Sequence, residues 1–328
     1  MQDRLMIYGA TGYTGKLLAA EAVRRGLKPI LAGRDPAKVN ALAKSLDAEG
    51  RAFSLDSADS VRRNLEGVRC VMHAAGPFTI TAKPMLEACL TQRAHYLDIT
   101  GEFSVFEQAA ALNDKAEAAG IMLMPGAGWD IVPSDCIALH TTRRVKNPQS
   151  LRLALKHFGG LSRGSIKSFD YIGGIGQRAR RNGVVVTPTN QTPIDVDFGY
   201  GPESCVPLPM GDIISAWKST RVPNIEVYFA VGEPAAAVPV DQLPEGPTKA
   251  ERDAGRSRAI ADVTGADGKT VRSMIETTSG YSYTGDIGIE IASRVLAGEF
   301  KPGFQSPASA YDTALATSVG ASTIKDLT

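Results

Sequence analysis

Short apolar runs alternate with segments of helical periodicity from the start of the chain to Met124. Such runs, bounded by turn residues, are typical of buried strands, and the longer periodic segments are typical of helices that cover a sheet. The candidate strands are residues 4–8, 28–32, 51–55, 69–73, 95–99 and 120–124. The candidate helices are residues 57–65, 81–90 and 103–119. One further helix is predicted to end at about Arg25, and another is predicted to follow Pro36. Because crossovers between parallel strands are right-handed and cover a sheet face, the pattern predicts an α/β fold with a Rossmann-type, doubly wound parallel sheet.

The pattern changes from about residue 133, so we predict a domain boundary near residues 128–135. Extended segments follow at residues 150–158, 184–186, 193–198 and 225–231, and residues 257–265 and 270–278 resemble two antiparallel strands joined by a turn. Helices are predicted at residues 286–297 and 306–319. We therefore expect a first domain over residues 1–130, a second α+β domain built on a mixed sheet over 131–300, and a C-terminal helix within 301–328 that returns to the first domain.

The turn after the first strand carries three evenly spaced glycines, Gly9, Gly12 and Gly15. Gly9 lets the chain leave the strand sharply, Gly12 keeps side-chain atoms away, and Gly15 lets the helix pack closely on the strand. The N–H groups and the dipole of the following helix both favour an anion at its N-terminus. Between an apolar strand and an amphipathic helix, this spacing predicts binding of a dinucleotide pyrophosphate, although a turn without a ligand is the alternative.

The residue at the tip of the second strand distinguishes NADP from NAD. An acidic residue there accepts hydrogen bonds from the adenosine ribose, whereas an arginine binds a 2′-phosphate. Arg34 lies nineteen residues after Gly15, and the strand ends in Ala32 rather than in an acid, so we predict NADP over NAD. Lys38 can add a second positive charge. Asp35 is the alternative ribose acceptor, but we expect it to cap the helix that begins at Pro36.

Other cofactor contacts are expected where the parallel strands end, because a ligand lies across the carboxyl ends of such a sheet. Asp56 can contact the adenine amine or cap the next helix, and Gly76 can let a loop pass beside the nicotinamide-side phosphate or ribose, or simply form a turn. The predicted cofactor-binding residues are Gly9, Thr11, Gly12, Tyr13, Thr14, Gly15, Arg34, Lys38, Asp56, Ala75, Gly76, Pro77, Phe78 and Gly101.

The composition narrows the choice of partners. With 36 basic and 35 acidic residues, the net charge of +1 gives no electrostatic reason to expect nucleic acid or an anionic membrane. The four cysteines are far apart, which indicates buried thiols rather than a metal site or a disulfide framework. The N-terminal residues lack the features of a secretory leader, and no apolar run reaches the length of about 18 residues that spans a membrane. We expect a soluble cytoplasmic protein with a small-molecule substrate.

Several catalytic patterns are missing. No tyrosine is followed four residues later by lysine, and the chain has no H-x-x-x-H, H-E-x-x-H or cysteine cluster for a metal, so no metal is expected. Ser162 lies in a G-x-S-x-G pattern, yet all four histidines precede it, against the order of the hydrolases that use this pattern. Hydride transfer remains, in which the cofactor performs the hard step and the protein supplies orientation and a proton.

The sequence resembles the saccharopine dehydrogenase-like family, and within it the short saccharopine dehydrogenase-like or trans-acting enoyl reductase branch, over nearly the whole chain. The motifs are GATGYTG (9–15), LAGR (31–34), AAGPF (74–78), HYLD (95–98) with GE (101–102), PGAG (125–128) with PSD (133–135), and GEFKPG (298–303). The resemblance implies an NAD(P)-binding Rossmann domain, a second α+β domain that builds the substrate site and often a dimer contact, and reduction of a polarised C=C or C=N bond. We accordingly expect a homodimer.

Tyr281, Tyr283 and Lys167 are the predicted catalytic residues. A phenol from either tyrosine can donate a proton next to the reacting atoms, but an aromatic pair that packs at the end of a strand is the alternative. Asp130, Tyr171, Glu102 and His73 are weaker candidates, each with a capping, surface or packing role as the alternative.

Two other functions stay open at this point. An amino-acid or imine dehydrogenase of the saccharopine type would hold a substrate carboxylate with arginine, for which Arg163, Arg178, Arg180 and Arg181 are the clustered candidates. A non-catalytic, NADP-binding redox sensor is the other, although the long second domain counts against it.

Overall fold

The computed structural model describes residues 4–230 and 239–328. The chain forms two compact units. Unit one comprises the chain up to Thr100 together with Ser104–Trp129 and Thr284–Gln305. Unit two comprises Gly101–Phe103, Asp130–Tyr283 and Ser306–Thr328. One boundary between the two units thus falls at Trp129, near the place where the sequence pattern also changes. Each unit also contains residues from other parts of the chain.

The strands and helices are numbered in chain order. The strands are β1 (Leu5–Tyr8), β2 (Ile30–Gly33), β3 (Glu49–Ala52), β4 (Cys70–His73), β5 (His95–Asp98), β6 (Met122–Met124), β7 (Pro148–Lys156), β8 (Ala179–Arg181), β9 (Val184–Val186), β10 (Ile194–Asp197), β11 (Pro202–Pro207), β12 (Asn224–Ala230), β13 (Arg256–Gly265), β14 (Thr270–Thr278), β15 (Gly303–Phe304) and β16 (Thr323–Asp326). The helices are α1 (Tyr13–Arg24), α2 (Pro36–Ser45), α3 (Ala58–Asn64), α4 (Phe78–Gln92), α5 (Phe103–Ala111), α6 (Asn113–Ala119), α7 (Val132–Thr142), α8 (Arg163–Gly174), α9 (Asp212–Thr220), α10 (Lys249–Ala254), α11 (Gly280–Leu296) and α12 (Pro307–Tyr311).

Unit one is built on a parallel sheet of seven strands in the order β15-β6-β5-β4-β1-β2-β3. All six strands predicted from the apolar runs are present, and every residue of β1, β2, β4 and β5 is buried, as expected for a sheet covered on both faces. The seventh strand is β15, in which Gly303 pairs with Met122. It has only two residues, so it leaves no periodicity that a sequence pattern can detect.

Helix α11 begins six residues before the predicted helix at 286–297. The segment before residue 286 is rich in glycine, which is typical of a loop. In the structure Gly285 of this segment, and Gly288 just after it, serve packing. A Cβ atom on Gly288 would lie 2.9 Å from Cδ2 of Leu18, and one on Gly285 would lie 3.5 Å from Cβ of Leu17. The glycines therefore let α11 approach α1 closely within unit one.

Unit two contains the mixed sheet that the sequence predicts, in the order β10-β11-β12-β7-β13-β14-β16 with β8 and β9 beside it. Strands β7 and β12 are parallel, and the other pairs are antiparallel. The predicted antiparallel pair at 257–265 and 270–278 is β13 and β14. The predicted strand at 225–231 is β12, whose last predicted residue, Val231, lies outside the described residues.

The C-terminal region differs from its prediction. Instead of one helix over 306–319, α12 ends at Tyr311, and a short 3-10 helix follows at Thr313–Thr317. Asp312 between them has a φ of 64°, which an α-helix cannot continue through. The chain then forms β16, which pairs with β14, so this segment belongs to unit two, whereas the sequence pattern assigns it to the first domain.

The four cysteines are buried free thiols, in line with the prediction. Within residues 4–230 and 239–328, no helix has both the length and the apolar character needed to cross a bilayer.

Candidate functional site

The glycine turn of unit one connects β1 to α1. Gly9 has a φ of 85°, and a Cβ atom there would lie 2.7 Å from the Ala74 carbonyl carbon. A Cβ atom on Gly15 would lie 2.0 Å from the Gly9 carbonyl oxygen. Real Cβ atoms do not approach backbone so closely, so both positions require glycine for the turn to close. Gly12 has no such neighbour: the nearest atom to its added Cβ would be 3.4 Å away.

Helix α1 begins without a side-chain cap, because Gly12 is its N-cap residue. By contrast, α2, α3 and α8 are capped by Asp35, Ser57 and Ser162. The first turn of this twelve-residue helix has no side-chain cap, and the positive end of the helix dipole favours an anion there. The predicted contacts Thr11, Tyr13 and Thr14 are all partly exposed around this turn.

Arg34 lies directly after β2 with an exposed side chain that makes no hydrogen bond or ion pair to the described residues. Asp35 is engaged, because its Oδ1 accepts a hydrogen bond from the Lys38 backbone N–H at 3.1 Å and its Oδ2 lies 3.8 Å from the Lys38 ammonium. The predicted capping role of Asp35 is therefore confirmed. The Arg34 guanidinium is therefore available to a ligand next to the glycine turn, whereas the Asp35 carboxylate already caps α2.

Tyr8, at the end of β1, lies close to the charges of Arg34 and Asp56. Burial raises the pKa of Tyr8 to about 12, with smaller opposing effects from the Arg34 and Asp56 charges. Its hydroxyl donates to the Phe53 carbonyl at 3.1 Å. Asp56 is exposed, and Ser57 rather than Asp56 caps α3, so the capping alternative for Asp56 is wrong. Its contact with adenine stays a prediction.

The loop that joins β4 to α4 contains Ala75, Gly76 and Pro77, with Gly76 exposed and the Gly76–Pro77 bond cis. Phe78 is buried with its ring edge on His73, at 5.4 Å between centroids, so it stabilises the interior rather than a ligand surface. His73 is also fully buried, and burial lowers its pKa to about 3, so it is neutral at physiological pH and unsuited to a general acid. Its packing alternative fits this position.

Gly101 belongs to unit two, where packing accounts for it. A Cβ atom at Gly101 would lie 2.6 Å from the Met210 methyl carbon and 3.3 Å from Cβ of Asp130. Its carbonyl accepts a hydrogen bond from the Gly211 N–H at 2.9 Å. The neighbouring Glu102 is buried, and its Oε1 accepts from Ser168 of α8 at 3.0 Å. A cofactor contact of Gly101 stays a prediction.

Three polar residues come together in unit two at the start of α8. They are Tyr281, Ser162 and Ser165, and we call them the tyrosine–serine cluster. The Tyr281 phenol accepts a hydrogen bond from the Ser162 N–H at 2.7 Å and shares one with the Ser165 hydroxyl at 2.8 Å. The His157 ring contacts the Tyr281 ring edge-on, at 5.2 Å between centroids. Burial raises the pKa of Tyr281, while both serines oppose that shift.

The other two predicted catalytic residues have different surroundings. Tyr283 is fully buried, and its hydroxyl donates to the Ala316 carbonyl at 2.9 Å, which is a structural hydrogen bond. Lys167 is exposed on α8, and no hydrogen bond or ion pair joins it to the tyrosine–serine cluster in the described part of unit two. Ser162 caps α8 through its side chain, which accepts from the Ser165 N–H at 3.1 Å, rather than forming a nucleophile with a histidine.

Three acids lie close to the starts of α7 and α9, and the sequence pattern gave no reason to group them: Asp135 and Asp212 are buried, and Asp130 is partly buried. Burial raises the pKa of Asp130 and of Asp135 to about 6, and that of Asp212 to about 8. Ser134 donates to Oδ1 of Asp212, and Ser219 donates to Oδ1 of Asp135 at 2.6 Å. These bonds join α7 to α9 across a buried seam. No group of three or more metal-ligating side chains occurs among the described residues.

Comparison with known proteins places these features in a family context. Residues 5–124 match the family described as saccharopine dehydrogenase NADP binding domain. A probable mitochondrial saccharopine dehydrogenase-like oxidoreductase of Arabidopsis thaliana is 30% identical over 164 residues, which cover 44% of this chain and 36% of that protein. A putative trans-acting enoyl reductase of Mycobacterium tuberculosis is 31% identical over 178 residues, which cover 50% of this chain and 42% of that protein. The matched region is therefore less than half of either relative.

The similarity to a solved structure extends over almost the full length of the chain. The apo saccharopine dehydrogenase (L-Glu forming) of Saccharomyces cerevisiae superimposes with a TM-score of 0.62, covers 99% of this chain and 100% of its own, and is 13% identical. At that identity the similarity concerns the fold alone. It extends beyond the matched domain into the region of the mixed sheet.

Proposed function

We propose that this chain is an NADP(H)-dependent oxidoreductase that reduces an activated C=C or C=N bond, because residues 5–124 match the family described as saccharopine dehydrogenase NADP binding domain. The observation that carries the proposal is the exposed guanidinium of Arg34, which has no partner among the described residues, beside a glycine turn without a side-chain cap. Together they offer a cationic group for a 2′-phosphate and backbone donors for a diphosphate. When bound, the reduced nicotinamide supplies a hydride to the electrophilic carbon of the substrate.

Hydride addition must be completed by a proton, and Tyr281 is the donor we propose. Its phenol is the acceptor for the Ser162 N–H and a partner of the Ser165 hydroxyl. Both hydrogen bonds, together with the positive end of the α8 dipole, stabilise the phenolate that remains after the proton leaves. The partly exposed Ser165 hydroxyl can then relay a proton from solvent to Tyr281, giving up one proton as it takes up another. Tyr283 has its hydroxyl committed to Ala316, so we leave it out of this role.

The names of the relatives favour reduction of a C=C bond, because several are called trans-acting enoyl reductases. The four arginines that could hold an amino-acid carboxylate are occupied in the structure. Arg163 donates to the Leu243 carbonyl, Arg180 is buried on the Trp217 ring, and Arg181 pairs with Glu226. Arg178 donates to Thr187 at 3.1 Å. No observation therefore favours the amino-acid dehydrogenase as a second function. The expected homodimer stays a prediction.

The proposal is tested by fluorescence titration with NADPH and NADH, followed by absorbance at the reduced-nicotinamide band with a panel of enones, imines and keto acids. We expect NADPH to bind more tightly, and Arg34→Ala to weaken NADPH by about 1–3 kcal/mol with little effect on NADH. Lys38→Ala tests the second predicted cation, and it should weaken NADPH less than Arg34→Ala does, because the Lys38 ammonium is 72% exposed and already near Asp35. Tighter binding of NADH than NADPH would overturn the choice of cofactor, and binding without oxidation by any compound would indicate a redox sensor.

A further inference from the structure

A chain of hydrogen bonds runs from the end of β4 into the loop that follows it. Nε2 of His73 lies 3.0 Å from the Thr81 hydroxyl oxygen, and that oxygen lies 2.6 Å from the Ala75 carbonyl oxygen. The same hydroxyl is 3.1 Å from the Pro77 carbonyl. His73 is fixed in turn by the Tyr8 ring, at 5.5 Å between centroids, and by the edge of Phe78. All of these residues belong to unit one.

The distances determine which atom donates in each bond. Two oxygens 2.6 Å apart need a hydrogen between them, and a carbonyl has none, so the single Thr81 hydroxyl hydrogen points to Ala75. Nε2 of His73 must then carry the hydrogen that reaches Thr81. The chain therefore runs in one direction, from the imidazole N–H through the hydroxyl to the carbonyl, and each donor strengthens the next.

This chain of hydrogen bonds also orients the N–H of Gly76. The peptide bond between Ala75 and Gly76 is trans, because the cis bond of this loop is the next one. In a trans peptide the carbonyl and the N–H point to opposite sides. With the Ala75 carbonyl held towards Thr81, the Gly76 N–H points away from α4, and it has no hydrogen-bond partner among the described residues. Gly76 is exposed, so a ligand oxygen can reach this N–H.

The loop also touches the glycine turn. A Cβ atom at Gly9 would lie 2.8 Å from the Ala75 nitrogen, so the two backbone segments are in direct contact. A rotation of the 75–76 peptide would therefore disturb the glycine turn as well as the Gly76 N–H.

We propose that His73 and Thr81 are positioning residues that present the Gly76 N–H to an oxygen of the nicotinamide-side ribose or phosphate of the cofactor. The proposal rests on the proposed function, since it needs a dinucleotide in unit one. Neither side chain touches the cofactor in this scheme. They act through the Ala75 carbonyl.

The test compares dissociation constants for NADPH and for adenosine 2′,5′-bisphosphate, a probe that contains the Arg34-binding half and lacks the nicotinamide half. Thr81→Val removes the hydroxyl, and with it the hydrogen bonds to His73 and Ala75 and the contact with Pro77, with little change of shape. We expect it to weaken NADPH about three- to tenfold while the bisphosphate changes less than about twofold. Thr81→Ser retains the hydroxyl and is expected to bind both ligands as the wild type does. His73→Phe keeps the ring packing, and its effect on NADPH should vanish in the Thr81→Val background.

The outcomes separate the two proposals. If the wild type binds both ligands and Thr81→Val weakens them equally, or leaves both unchanged, the positioning role is wrong while the proposed function stands. If His73→Phe weakens NADPH further in the Thr81→Val background, the chain through Thr81 is also wrong. If the wild type binds neither ligand, the proposed function is overturned, and this inference with it. Thermal unfolding of each variant without ligand identifies any loss of fold.

Discussion

Gly15 lies so close to Gly9 that a Cβ atom on Gly15 would be 2.0 Å from the Gly9 carbonyl oxygen. The contact joins the first turn of α1 to the residue that leaves β1. It is a contact of backbone with backbone, so no side-chain rotation can relieve a clash there. The third glycine of the turn is thus required by the fold itself, independently of any ligand.

We therefore expect Gly15→Ala to lower the free energy of unfolding by about 1–3 kcal/mol or more, because the backbone must move to admit the methyl group. Gly12→Ala is the matched control. Gly12 has a φ of −78°, and its nearest neighbour would be 3.4 Å from an added Cβ, so stability should change by less than about 0.5 kcal/mol. Gly12→Ala should weaken NADPH, however, because its methyl group enters the space in front of α1. Urea denaturation and fluorescence titration measure the two effects, and equal stability of the two variants would contradict this explanation.

Asp35 provides a second prediction, since its carboxylate caps α2. Asp35→Ala should lower the free energy of unfolding by about 1 kcal/mol, while Asp35→Ser should retain most of the cap. Neither change should weaken NADPH, because the proposed phosphate contact is made by Arg34. A large loss of NADH affinity in Asp35→Ser would instead show that Asp35 binds the ribose, and it would revise the predicted preference for NADP.

The two neighbouring tyrosines should respond differently to loss of the hydroxyl. Tyr283→Phe leaves the buried Ala316 carbonyl without its donor, so we expect a loss of about 1 kcal/mol in stability and little change in kcat. Tyr281→Phe should lower kcat about 100-fold or more if its phenol supplies the proton, with NADPH affinity unchanged. Ser165→Ala removes the hydroxyl that shares a hydrogen bond with Tyr281, and its kcat should lie between the values of the two tyrosine variants. A Tyr281→Phe variant with wild-type kcat would exclude this residue as the donor.

Asp212 predicts a fall of stability as the pH rises from acidic values to about 8. Burial raises its pKa to about 8 in the folded protein, above the value of an unfolded aspartate, so the folded state binds the extra proton. Its contribution is therefore fully present below pH 4 and is lost as the pH rises through 8, by up to about 1.4 kcal/mol per pH unit. The neighbouring acids Asp130 and Asp135 have pKa values of about 6, so they add to the fall below pH 6 and contribute little slope above it.

Asp212→Asn keeps the acceptor for Ser134 and cannot ionise, so its unfolding temperature should fall less than that of the wild type between pH 6 and pH 9. Asp241→Asn, at an exposed position of the same unit, is the control and should follow the wild type. If the unfolding temperatures of the wild type and Asp212→Asn fell equally between pH 6 and pH 9, the Asp212 carboxylate would not titrate in that range.

The parallel sheet and the cofactor turn could be predicted because their signals are local. The apolar runs identified all six main strands of unit one, and the spacing of Gly9, Gly12 and Gly15 identified the turn. Asp35 before Pro36 is a recognisable cap, and the structure has it. The start of α11 could not be predicted, because its glycines weaken a helix locally and are explained only by the closeness of Leu17 and Leu18.

Sequence alone therefore determined the order of strands and helices, the glycine turn and the arginine that follows β2, since each depends on residues within a few positions of one another. Tertiary structure alone decided which tyrosine has a committed hydroxyl, which carbonyl Thr81 holds, and which acids are buried together. Those outcomes depend on atoms that are far apart in the chain, such as Tyr283 and Ala316, and are brought together only by packing. Burial also changes the pKa values of side chains such as Asp212, so the same residue type has different chemistry in different surroundings.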